Sequence, residues 1–180
     1  MKTIGSIFLA LAALSVAYAT QDVTTAVHGA VQKIDSATKT IVVKTRDGTE
    51  HSLRFLDSTT VHGAKVSAEA GKDTWHGLKE GTDVVVHYTA RGTDDTALEI
   101  DKVGGDGLKA TQGMVKNLDR GGKELVVKAG DGVESTFRLT NHAAQDSGKD
   151  IAKGTEKGAK VTVYYSERAG KKVAHFFEKG

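Results

Sequence analysis

The chain predicts an all-β fold built from two tandem, small five-stranded barrels that are copies of one another. Three observations lead there. Apolar residues recur at the period of a half-buried strand, as at Ile41 and Val43 or Leu53 and Phe55. Asp47-Gly48 and Asp131-Gly132 supply the positive φ that a tight hairpin needs. The sequence also matches itself along most of its length.

The repeat begins where Gly29-Ala30-Val31-Gln32-Lys33-Ile34-Asp35 aligns with Gly113-Met114-Val115-Lys116-Asn117-Leu118-Asp119, an offset of 84 residues. Ile41-Val42-Val43-Lys44 and Leu125-Val126-Val127-Lys128 keep that offset, as do Leu53-Arg54-Phe55 and Phe137-Arg138-Leu139. Further on the offset is 77, where Val84-Val85-Val86-His87-Tyr88 meets Val161-Thr162-Val163-Tyr164-Tyr165. The second copy therefore lacks seven residues, lost between Thr60 and Ala70. Copy one spans 25–104, a Gly-rich linker 105–108, and copy two 109–180. Gly104-Gly105-Asp106-Gly107 has no apolar side chain, which predicts a flexible hinge.

Within copy one the first strand is expected at Ala26–Ile34 and the second at Thr40–Thr45. The Asp-Gly turn leads into the third at Glu50–Phe55. A short helical segment is expected between strands 3 and 4, at Asp73–Lys79, with Trp75 and Leu78 plugging one end of the sheet. Strands at Asp83–Ala90 and Thr96–Val103 complete the copy. That order is the order of an OB-like barrel. Alternation places Ile34, Ile41, Val43, Leu53, Phe55, Val84, Val86, Tyr88 and Ile100 in the core. On the opposite face of strand four Val85 becomes Thr162 and His87 becomes Tyr164, the drift expected of a solvent side. Copies this small bury only about 60% of their surface, so some contact between them is expected.

The N-terminus reads as a signal peptide over residues 1–19. Lys2 gives a positive start, Ile7–Leu14 a short apolar core, and Ala17-Tyr18-Ala19 a small-x-small cleavage site. A mature chain beginning near Thr20 would be periplasmic or secreted, and no other stretch is apolar enough to make it an integral membrane protein. With no cysteine, disulfides and thiol catalysis are unavailable. Charge is uneven: 25–104 carries 10 basic and 12 acidic side chains, 109–180 carries 14 and 9. A solvated basic surface accounts for this, and a weak site for an anionic polymer is the sharper alternative.

No catalytic, nucleotide or cofactor motif stands out, so no enzyme and no cofactor are expected. Asp35, Asp47, Asp119 and Asp131 recur at strand ends and turns, where Asp serves local hydrogen bonding. Asp73 and Asp150 recur ahead of the expected helix as N-caps. Of seven histidines, His28, His51, His62, His76 and His87 lie in copy one, and His142 and His175 in copy two. A metal site would have to be built in copy one, with His51 and His62 meeting across a loop and His87 facing outward nearby. Candidate ligand-binding residues on an open sheet face are Arg54, Arg138, Tyr164, Lys171 and Lys172, with Phe176 exposed beside Phe177.

The run Gly-x-Val-x-x-Ile-Asp at 29–35, Thr40-Ile41-Val42-Val43-Lys44, Asp47-Gly48 and Leu78-Lys79-Glu80-Gly81-Thr82-Asp83-Val84-Val85-Val86 resembles a class of secreted bacterial domains of unknown function with an OB-like fold. The resemblance covers both copies and implies a fold and an envelope location, but no activity. The first hairpin also resembles the small periplasmic copper-binding OB proteins, which hold copper through Met and His on the barrel. This chain departs from that pattern, because its only mature Met is Met114, on the first strand of copy two. The reading is a non-enzymatic exported protein of the bacterial envelope that binds or supports. Its partner would be an envelope polymer (a glycan or anionic lipid) or a protein, rather than nucleic acid. The alternatives are a periplasmic metal-binding protein and an enzyme of unknown class.

Overall fold

A computed structural model describes residues 23–63, 75–91 and 94–180. The signal-peptide expectation and Asp73 lie outside the described residues. Copy one contributes β1 (Val23–Asp35), β2 (Thr40–Lys44), β3 (Glu50–His62), β4 (Asp83–Arg91) and β5 (Asp94–Lys102). Copy two contributes β6 (Lys109–Asp119), β7 (Glu124–Lys128), β8 (Glu134–Leu139), helix α1 (Asn141–Asp146), β9 (Lys160–Arg168) and β10 (Lys171–Lys179). The strands form two five-stranded sheets, ordered β1-β2-β3-β5-β4 and β10-β8-β7-β6-β9, each closing on itself. In both, the first strand pairs antiparallel with the fourth, while the third and fifth run parallel.

The hairpins form for the local reasons read above. Gly48 and Gly132 sit at φ +89° and +86°. Asp47 Oδ1 accepts from the Thr49 amide at 3.1 Å, and Asp131 Oδ1 from Val133 at 2.9 Å. Asp35 accepts from the amides of Ala37 and Thr38, each at 3.0 Å. These aspartates shape turns, and the hydrogen bonds hold Asp35 and Asp47 below the usual carboxylate range. Gly29 and its repeat partner Gly113 have a packing role. A Cβ there would lie 2.3 Å from the Lys44 carbonyl oxygen and 2.5 Å from that of Lys128.

Each barrel holds its own core. Ile41, Val43, Leu53, Phe55, Val84, Val86 and Ile100 are buried in the first, and Leu125, Val127, Phe137, Val161, Val163 and Phe177 in the second. Ile34 is only partly buried at the margin. Trp75 and Leu78 do cap the first barrel: Leu78 is fully buried and the Trp75 ring stacks 3.9 Å from Phe55. They do so from a tight turn, not the expected helix. His76 and Gly77 both have positive φ, and Trp75 and Leu78 exchange backbone hydrogen bonds. In copy two the chain after β8 does form a helix, capped by Thr140, whose hydroxyl accepts from the Ala143 amide. Copy one instead prolongs β3 to His62. Asp150 is not an N-cap: it lies beyond α1 and accepts from the Lys179 amide at 2.6 Å.

Two expectations about the space between the copies are corrected. The outer face of strand four is not a solvent side in either copy. Val85, His87, Thr162 and Tyr164 are all at most 5% exposed. Val85, Leu108, Tyr164 and Phe176 form a third apolar cluster, so β4 and β9 are buried on both faces. The Gly-rich linker is not a loose hinge. Gly104 donates to the Leu108 carbonyl, Gly107 to Gly104 and Leu108 to Lys102, all within 3.0 Å. Leu108 is sealed into the apolar seam. A Cβ on Gly107 would lie 2.0 Å from the Lys102 carbonyl oxygen, so glycine is required for that close approach.

Candidate metal centre in the seam between the barrels

Five of the seven histidines, His28, His62, His87, His142 and His175, contact carboxylates in or beside this seam. The acids facing His62, His142 and His175 come from β5, where Glu99 and Asp101 alternate with core-facing Ile100 and so project from the barrel toward copy two. His62 Nδ1, at the end of the lengthened β3, lies 3.0 Å from both Glu99 Oε1 and Asp101 Oδ1. The parallel pairing of His62 with Asp101 across β3 and β5 fixes this approach. Copy two supplies the rest: His142 Nδ1 on α1 is 3.2 Å from Glu99 Oε2, and His175 Nδ1 on β10 is 3.2 Å from Asp101 Oδ2. The result is an alternating row, His142, Glu99, His62, Asp101, His175.

Asp101 is the most constrained member, at 1% exposure. Burial pushes its carboxyl up, but His175 and His62 outweigh that and hold it below the usual carboxylate range. Its two oxygens are not equivalent. Oδ1 is aligned with His62, whereas Oδ2 has no hydrogen-bond donor, because His175 approaches it off the hydrogen-bonding line. The ligating atoms of His62, Glu99 and Asp101 all lie within 4.8 Å of one another. Ligands about 2 Å from an ion sit roughly 3 Å apart, and His62 Nδ1 stands at that spacing from an oxygen of Glu99 and from one of Asp101. An open cleft of about 490 Å³, lined by His62, Asp101, His175, Ser166 and Arg168 among others, gives access.

Beside the row lies a buried pair, His87 Nδ1 to Asp146 Oδ2 at 2.8 Å, with the side chains 1% and 0% exposed. Burial opposes the His87 cation, but Asp146, with Glu99 and Asp101 further off, raises its pKa above the ordinary value. On the other side His28 donates to the Tyr164 hydroxyl at 2.9 Å, and Tyr164 donates to Glu178 at 2.9 Å. His28 Nε2 lies 3.0 Å from Asp83 without hydrogen-bond alignment. Burial lowers the His28 pKa, yet Asp83 and Glu178 together raise it to about 9.

The residues singled out from the sequence are dispersed. Arg54 on β3 and Arg138 on β8 are exposed, one on each barrel, and Lys171 is exposed at the start of β10. Lys172 donates to Ser135 at 2.9 Å and lies over the Phe137 and Tyr165 rings. Tyr164 does point off its barrel, but copy one covers it to 2% exposure; Phe176, expected outside, is 5% exposed in the same seam. His51 sits near Tyr88 rather than meeting His62, and His87 is buried rather than outward-facing. Met114 is exposed in a separate groove with Lys128 and Lys160. Glu99 and Asp101 were missed. Two acids at alternate positions of one strand, flanking a core Ile, were the available signal.

No known protein family and no curated protein matches this sequence. Among solved structures, the chain is similar to CusF from Escherichia coli. Residues 10–88 of CusF with silver(I) align at 14% identity, covering 46% of this chain and 95% of that one, with a TM-score of 0.34. Apo-CusF residues 6–88 align at 14% identity, covering 49% of this chain and 98% of that one, with a TM-score of 0.35. Among the described residues, no helix is long and apolar enough to cross a membrane.

Proposed function

We propose that this is an exported, non-enzymatic protein of two OB-type modules that binds a divalent transition-metal ion between them. One observation carries the reading: ligating atoms of His62, Glu99 and Asp101 lie within 4.8 Å of one another, and the Asp101 carboxylate among them is almost fully buried. A buried anionic oxygen is costly unless a proton donor or a cation meets it. The donors are imidazole nitrogen and carboxylate oxygen, a set that suits Zn(II), Ni(II) or Cu(II). No sulfur ligand stands in the row, which disfavours soft monovalent ions. Export is supported by the N-terminal pattern, and the non-enzymatic reading by the turn-making role of the recurring aspartates.

The test is thermal unfolding of the mature chain with and without Zn(II). An ion bound only by the folded state at a hundred times its Kd stabilises by about 2.7 kcal/mol. For about 160 residues that raises Tm by roughly 5–10 °C, and a chelator should reverse it. Asp101→Asn should abolish the rise. An unchanged Tm in the unmodified protein would overturn the reading, leaving the row as ion pairs alone.

A further inference from the structure

We infer that His142, from copy two, is a positioning residue for the candidate metal centre: it fixes the carboxylate of Glu99, so the second barrel sets the geometry of a site whose three donors all belong to the first. The inference rests on the metal-binding reading above and extends it.

Of His62, Glu99 and Asp101, Glu99 has the most rotamer freedom to lose when it is held in place. Its two oxygens are held from opposite sides of the seam. Oε1 lies 3.0 Å from His62 Nδ1, and Oε2 lies 3.2 Å from His142 Nδ1 with hydrogen-bond alignment. A carboxylate only accepts, so the His142 ring nitrogen is the donor in that contact. Held at both oxygens, the carboxylate stays turned toward His62 and Asp101. Hydrogen bonds behind a ligating carboxylate orient it for the ion in this way.

His142 stands on a helix built firmly into its own barrel. The Thr140 hydroxyl caps α1 by accepting from the Ala143 amide at 3.0 Å, and the Thr140 amide donates to the Ala174 carbonyl at 3.0 Å. Arg120 donates to the Ala144 and Ser147 carbonyls, each at 3.0 Å. His142 and Asp146 are four residues apart and so share one face of α1. Opposite that face, His87 on β4 and Glu99 on β5 are cross-strand partners. The two pairs match in complementary sense: His142 meets Glu99, and Asp146 meets His87 at 2.8 Å. Reversing the match would set histidine against histidine and carboxylate against carboxylate. This quartet fixes where α1 sits over copy one, and with it the Nδ1 that faces Glu99. Copy one prolongs β3 to His62 where copy two forms α1. The divergence of the repeats thus puts a ligand on one side of Glu99 and its support on the other.

Calorimetric titration of the mature full-length chain with Zn(II) tests this. The proteins compared are the unmodified chain, His142→Ala, His142→Asn, Glu99→Ala and the double variant of His142→Ala with Glu99→Ala. Losing the hydrogen-bonding partner of a ligand costs about 10–100-fold in affinity, and His142→Ala should lose that much. Alanine is the strongest helix former, so the loss does not come from unravelling α1. His142→Asn places an amide N–H on the same Cγ and should bind within about threefold of the unmodified protein. With Glu99 already replaced, removing His142 should weaken binding by less than about twofold more. A part in the seam alone would weaken binding equally in both backgrounds, and asparagine would not restore it. That pattern, or a His142→Ala affinity within about twofold of the unmodified protein, overturns the positioning role while the metal-binding reading survives. If the unmodified chain takes up no zinc, both fall.

Discussion

Replacing Asp146 with leucine should destabilise the protein far more than removing an ordinary ion-pair partner. The carboxylate is fully buried and 2.8 Å from His87, itself 1% exposed. Exposed pairs contribute about 0–1 kcal/mol, whereas removing one partner of a buried pair costs about 3–5 kcal/mol because the other charge stays behind. For a chain of about 150–250 residues, that lowers Tm by roughly 6–20 °C. The pair has an escape route, since His87 can give up its proton. In the native protein its raised pKa contributes stability that is complete below about pH 6.5 and lost as pH rises through the folded value. In the variant that contribution is gone, so the penalty should be greatest in mild acid and shrink in mild alkali. Glu99 and Asp101 on β5 remain near His87 and soften the loss. The assay is denaturant unfolding of Asp146→Leu, His87→Leu and the double variant at several pH values. A double variant within about 1 kcal/mol of the parent, with each single variant well below it, is the expected result. Single losses under about 1 kcal/mol, or losses that simply add, would refute the account of a buried charged pair spanning the seam.

Two further outcomes follow from the same geometry. His28 has its pKa raised to about 9 by Asp83 and Glu178. Its stabilising share should be present in full below about pH 6.5 and disappear as pH climbs through about 9. Thermal melts from neutral pH to pH 10 should slope downward, and His28→Gln should flatten that slope. Gly107→Ala should lower Tm by several degrees, because its Cβ would lie 2.0 Å from the Lys102 carbonyl oxygen and push Leu108 out of the seam. An unchanged melt would show the linker to be looser than its three hydrogen bonds imply.

The strands, hairpins and individual cores were legible because each depends on neighbouring residues. Leu53 and Phe55 alternate, Asp47-Gly48 makes its own turn, and both patterns recur in copy two. Trp75 and Leu78 were legible as a plug, but their spacing of three suits a turn as well as a helix, and Gly77 at φ +81° selects the turn. The seam was not legible. Aligning one copy with the other treats differences such as Val85 against Thr162, or His87 against Tyr164, as drift on a wet surface. Those same positions touch the neighbouring copy, where divergence is how two like surfaces become complementary. The row of histidines and acids was hidden for a related reason. His62 was named from the sequence, but its acid partners Glu99 and Asp101 were not, and His142 and His175 reach those acids from copy two through a helix and a strand.

The five-residue turn from Gly104 to Leu108 has a thermodynamic consequence of its own. A seam with a small apolar centre and a wide margin of ionisable groups would be a weak contact between separate molecules. Joined by so short a tether, the partners meet at an effective concentration of millimolar or more, whatever the amount of protein present. The join therefore stays formed at dilutions where two free chains would part. That frees the contact surface to carry buried charge and ion pairs that a self-associating surface would have to give up to greasier side chains.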